Sequence, residues 1–135
     1  MPVIFVAYSK QIAQWGGDVG LGKNLFLLSV EADPEAAEAF LAGKPCGADD
    51  WTIIKKEDCQ QDNAAPLQDK LAAKEKRVDP MLYPRLRGFP GLFKVKLESV
   101  ENHFLVKKAL EGMETASYKV KPADIAQYLI HNALK

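Results

Sequence analysis

The run from Pro2 to Tyr8, PVIFVAY, constrains the fold more than any other part of this chain. It is short, β-branched and aromatic, and almost unbroken in its apolar character. That is the pattern of a strand buried on both faces, and it is expected at the centre of a sheet. Ser9 to Trp15 (SKQIAQW) is expected to make a brief helical turn before the glycines at 16, 17, 20 and 22 impose a loop. Asn24 to Glu31 (NLFLLSVE) reads as a second strand, antiparallel to the first across a long connection. Asp33-Pro34 then announces a helix from Glu35 to Ala42, acidic in its first turn and closed by Gly43.

Further along, Trp51 to Lys56 (WTIIKK) has strand character, Asp58 to Pro66 is turn-forming, and Leu67 to Val78 is expected to be a basic helix. Three prolines and two glycines in Asp79 to Gly91 (DPMLYPRLRGFPG) argue against regular structure, leaving an ordered loop or a flap. Leu92 to Leu97 alternates like a half-buried strand, Ser99 is placed to cap a helix from Val100 to Glu111, and Gly112 ends it. Ser117 to Val120 reads as a short strand. Pro122 opens a last helix with an apolar stripe of Ile125, Tyr128, Leu129 and Leu134. The resulting order, ββαβαβαβα, is that of an α+β fold: a mixed or antiparallel sheet of about three to five strands flanked by helices. At 135 residues one domain is expected to span the chain, and 47% apolar with 27% charged residues excludes bulk disorder.

No apolar run approaches the roughly 20 residues of a bilayer span, and MPVIFVAYSKQIAQW lacks a secretory signal pattern, so a cytoplasmic protein without a membrane partner is expected. Cys46 and Cys59 form no CxxC and have no histidine near them in sequence. They read as free thiols rather than as a zinc or redox pair.

The net charge is zero, with eighteen residues of each sign, but the charges are segregated. Glu31 to Asp69 carries ten acids against three bases, a net of −7. Lys70 to Lys96 carries eight bases (Lys70, Lys74, Lys76, Arg77, Arg85, Arg87, Lys94 and Lys96) against two acids, a net of +6. Such a basic segment can contact phosphates of DNA or RNA; equally, it can fold against the acidic segment and keep the protein soluble.

Gly17-Asp18-Val19-Gly20-Leu21-Gly22-Lys23-Asn24 meets the phosphate-loop template GxxxxGK but has Asn24 where a Ser or Thr would hold magnesium. A strand, not a helix, is expected after it, so it is read as a turn-rich loop. His103 and His131 lie on different expected helices with no ligand spacing and read as ordinary helix residues. Ser9, Ser29, Ser99 and Ser117 have no GxSxG context, which leaves nucleophilic hydrolysis without support. Trp15, Trp51, Tyr118 and Tyr128 read as packing aromatics.

The run Val3 to Tyr8, the strand Phe26 to Val30 followed by Asp33-Pro34, and the late block VENHFLVKKALEG with SYKVKPADIAQYLI together resemble the GIY-YIG nuclease superfamily, chiefly its phage-type branch. The resemblance implies a small α+β fold. In that family a tyrosine from each of the first two strands, a helix arginine and a later glutamate build a single-metal site that cleaves phosphodiesters. Carried over, Phe5-Val6 falls on the first motif, Leu27-Leu28-Ser29 on the second, and Glu101 on the metal-binding glutamate. Tyr8 stands near the first tyrosine, Phe26 or Leu27 replaces the second, and the arginine position falls near Ala37.

The resemblance thus implies a catalytically degenerate domain that binds nucleic acid through Lys70 to Lys96. One alternative is a module that associates with itself or with another protein through its oppositely charged segments. The other is a residual nuclease, with Glu101 as Mg2+ ligand and Tyr8 beside it as catalytic residues. Glu101 equally suits the first turn of a helix behind a serine cap, where the dipole favours a carboxylate.

Overall fold

A computed structural model describes residues 2–87, 89–110, 112 and 120–134. Its first strand, β1 (Val3–Tyr8), is buried from Val3 to Ala7, as the apolar run demands, and has a strand on either side. Ser9 ends it and starts α1 (Lys10–Asp18): the hydroxyl accepts from the Ile12 N–H at 3.2 Å and itself donates to the Asp50 carboxylate. Helix α1 runs through Gly16 and Gly17, where a loop is expected. The reason is close packing. A Cβ on Gly16 would collide with the Gly22 carbonyl oxygen and come within 2.5 Å of Leu25 Cδ1, so glycine lets this helix lie against the start of β2.

Strand β2 (Leu25–Glu31) is buried from Leu25 to Val30 and pairs antiparallel with β1, Phe5 opposite Ser29 and Val6 opposite Leu28. Asp33 then caps α2 (Pro34–Ala42) by accepting from the Ala36 N–H at 2.7 Å. After a 3-10 turn at Pro45–Gly47, β3 (Thr52–Asp58) pairs with the other side of β1, with a register shift between Val6 and Ala7. Asn63 caps α3 (Ala64–Ala72).

The basic helix expected from Leu67 to Val78 is corrected here. Helix α3 stops at Ala72, the chain turns, and Lys76–Arg77 forms β4, an edge strand paired with β5 (Leu92–Lys94). The Val78 N–H continues that pairing by donating to the Leu92 carbonyl at 2.9 Å, which draws Val78 into the core. Between these strands the expected irregular segment contains a 3-10 turn, Pro84–Leu86, with Leu86 buried. Strand β5 stops at Lys94, although the Val95 N–H still donates to the Asn24 carbonyl. Helix α4 (Leu97–Leu110) begins two residues before Ser99, so Ser99 lies in its first turn and does not cap it. Helix α5 (Pro122–Leu134) buries Ile125, Ala126, Tyr128, Leu129, Ile130 and Ala133, while Leu134 is exposed. The expected strand at Ser117 to Val120 lies outside the described residues except for Val120, which packs against the core.

The fold is α+β: one antiparallel sheet in the order β3-β1-β2-β5-β4. Alternate side chains of the strands serve two cores. Ile4, Val6, Phe26, Leu28, Val30 and Phe93 pack with α3, α4 and α5. Val3, Phe5, Ala7, Leu25, Leu27 and Leu92 pack with α1, α2 and the two 3-10 turns. No helix among the described residues is long and apolar enough to cross a membrane.

Candidate functional site

The edge formed by β4 and β5 gathers positive charge. Register sets Lys76 of β4 directly opposite Lys94 of β5. Lys74 enters from the turn after α3, and Lys96 leaves β5 toward α4. The four lysines line one recess of about 460 Å³ together with Ala72, Ala73, Glu75 and Ser99. None of the four forms an ion pair among the described residues. Like charges directly opposite across an antiparallel pair repel each other, at a cost of roughly 0.2–1 kcal/mol.

Glu75 also lines the recess, but its carboxylate points inward. It is 5% exposed and accepts a 2.6 Å hydrogen bond from the Tyr128 hydroxyl. Burial, then the hydrogen bond to Glu75 and the charge of that carboxylate, push the Tyr128 phenol well above its ordinary range, so it stays a donor. The sequence marks Tyr128 as a packing aromatic of the last helix and gives no sign of Glu75 or of the bond between them. The available signal was that Tyr128 and His131 are three apart on one helix and therefore share a face.

The remaining basic residues separate. Arg77, next to Lys76 but on the opposite face of β4, pairs with Asp69 of α3 at 2.6 Å and lies 5.9 Å from the Phe93 ring centroid. Its Nε is buried and has no hydrogen-bond partner among the described residues. Arg85 is a structural tie: Nε donates to the Cys46 carbonyl at 2.9 Å and the guanidinium lies over Trp15. Arg87 is exposed in a left-handed conformation at the end of the second 3-10 turn, and Lys70 is exposed on α3. Lys70, Arg85 and Arg87 are not among the residues that line the recess.

Glu101 is half-buried on α4. Tyr8, at the end of β1, packs its ring 5.5 Å from that of Phe26. No hydrogen bond joins these two among the described residues, nor do three or more His, Cys, Asp or Glu side chains gather there to hold a metal. The GxxxxGK segment begins in the last turn of α1 and leads into β2, with Gly20 and Gly22 at φ +83° and +87°; no helix begins at its lysine, as a phosphate loop requires.

The two histidines lie on different helices, as expected, His103 half-buried and His131 exposed. Helices α4 and α5 bring the rings of His103 and His131 to 5.4 Å between centroids, and His103 stands 5.3 Å from the Tyr128 ring. The chain matches no protein-family model, no curated protein and no solved structure.

Proposed function

We propose that this protein binds nucleic acid, with the phosphate backbone seated along the lysine-lined edge of β4 and β5. The observation that carries the reading is the convergence of Lys74, Lys76, Lys94 and Lys96 on one recess without an acidic partner among the described residues. A phosphate between Lys76 and Lys94 turns their cross-strand repulsion into attraction. Ammonium groups act as point charges, so the recess reads charge and spacing rather than base sequence. The resemblance to the GIY-YIG superfamily fits this reading as that of a domain which retains binding and has lost cleavage.

The test is fluorescence anisotropy with single- and double-stranded DNA and RNA over a salt series, with Mg2+ present and product lengths checked on a gel. Four phosphate contacts give a slope of log K on log salt of about −3.6 for duplex DNA, roughly a tenfold loss per doubling of salt. Lys76→Glu with Lys94→Glu is expected to weaken binding at least tenfold for every sequence alike. Salt-independent binding, or binding unchanged in that double variant, overturns the proposal. Shortened products that vanish in Glu101→Ala would give the protein the nuclease role instead.

A further inference from the structure

The segment that follows β4 carries two apolar side chains out into solvent: Met81 is 86% exposed and Leu82 71%. They sit on a turn that is fixed rather than loose. The Asp79 carboxylate accepts from the Met81 N–H at 2.8 Å, the Asp79 carbonyl accepts from the Leu82 N–H at 3.1 Å, and the ring of Pro80 between them restricts the backbone further. The chain is also pinned on both sides of this turn. Before it, the Val78 N–H donates to the Leu92 carbonyl; after it, the Tyr83 ring meets that of Trp15 edge-on, with centroids 5.5 Å apart. Met81 and Leu82 are thereby kept from folding back onto the core to escape water.

The turn stands beside the lysine-lined edge. Leu82 and Tyr83 share a small cleft of about 90 Å³ with Lys76 and Lys94, and the same two lysines also line the larger recess. A ligand seated on this pair meets cationic and apolar partners at once. That combination suits a chain in which anionic groups and apolar faces alternate at short spacing, and a nucleic acid is such a chain, with phosphates along the backbone and π-faces on the bases. An anionic bilayer carries both chemistries too, but its flat surface does not enter a recess lined by Lys74, Lys76, Lys94 and Lys96.

We infer that Met81 and Leu82 form an apolar wedge that enters between adjacent bases while the lysines hold the backbone, so that the protein prefers a step whose stacking is already weak, such as a mismatch, to an intact duplex. This rests on nucleic-acid binding at the lysine edge and adds a contact with the bases. Methionine and leucine side chains act as wedges at the cost of unstacking the step they enter. That cost is least where the bases are mismatched. Neither side chain reads a hydrogen-bonding pattern, so the wedge senses how readily a step opens and not which bases form it.

The experiment compares an intact duplex with one carrying a single mismatch, each with 2-aminopurine beside the step, by anisotropy over a salt series and by the fluorescence of the reporter base. The wild-type chain is expected to bind the mismatched duplex about tenfold more tightly and to raise the reporter signal as the base unstacks. Met81→Ser with Leu82→Ser, at exposed positions, is expected to lose both the preference and the signal while keeping the salt slope, since no phosphate contact is removed. Met81→Leu is expected to retain them. Binding with the full salt slope but with no preference and no signal overturns the wedge and leaves the lysine edge as the binding site. So does a signal that persists in the double variant. Absence of binding to either duplex at low salt overturns the wedge and the nucleic-acid role together. Capture on phosphatidylserine vesicles that the double variant loses, with no reporter signal, overturns the base contact in favour of a membrane one.

Discussion

A buried carboxylate has to be satisfied where it stands, and among the described residues Glu75 has the Tyr128 phenol as its side-chain donor. Removing that donor with Tyr128→Phe leaves the carboxylate without its hydrogen bond and is expected to cost about 1–3 kcal/mol in urea unfolding. Glu75→Gln, which keeps an acceptor and sheds the charge, is expected to cost less. An unchanged stability in Tyr128→Phe, which keeps the ring, would show that Tyr128 acts through packing alone. Asp50 gives the pH counterpart. Burial by itself would raise its pKa, but the hydrogen bond from Ser9 and those from the backbone N–H groups of Gln11, Asp50 and Lys10 outweigh it, and the carboxyl titrates below its ordinary range. A pKa depressed on folding stabilises the protein above the unfolded-state value of about 3.9, and that stability is lost as the pH falls through the folded value. Asp50→Asn is therefore expected to be less stable than wild type at pH 7, with the gap closing below about pH 4. Parallel stability curves for the two proteins would remove Asp50 from this role.

Among the elements, α1 places two adjacent glycines in opposite situations. Alanine at Gly16 meets a backbone carbonyl and Leu25, whereas nothing lies within 4 Å of a Cβ at Gly17, which is exposed. Gly17→Ala is expected to stabilise by about 0.5–1 kcal/mol through helix propensity, while Gly16→Ala loses about 1–3 kcal/mol to overpacking. Thermal melts of the two variants that shift in the same direction would contradict the packing. These glycines also explain what local pattern missed. Consecutive glycines read as a loop because their usual effect is entropic, and only the contact with Gly22 and Leu25 makes a helix worthwhile there. Strand β4 was hidden for a similar reason: Lys76 and Arg77 carry no apolar alternation, and pairing with β5 alone makes them a strand. By contrast β1, β2 and α2 were legible because apolar burial and the Asp33-Pro34 cap act locally.

For the whole molecule, strands β1 and β2 contribute to both cores, so neither layer of helices keeps its packing once the sheet is lost. Urea unfolding is expected to give one transition, coincident by far-ultraviolet circular dichroism and by fluorescence of Trp15 and Trp51, which both pack on the α1 and α2 side. Separated midpoints would mean that the two layers melt independently. The candidate sites belong to this scale, which limits how far a one-dimensional reading reaches them. The excess of bases from Lys70 to Lys96 was visible, but not that Lys76 and Lys94 would face each other while Arg85 is held at the Cys46 carbonyl. Nor does the sequence place Leu82 beside that lysine pair. The sheet also divides the two thiols: Cys46 is buried on the α1 and α2 side, where burial pushes it up to about 12 against a partial offset from Arg85, and Cys59 is buried on the other. Alkylation therefore waits for an opening, and each cysteine clocks its own side of the sandwich, so the unaltered chain carries a separate timer for each of its halves.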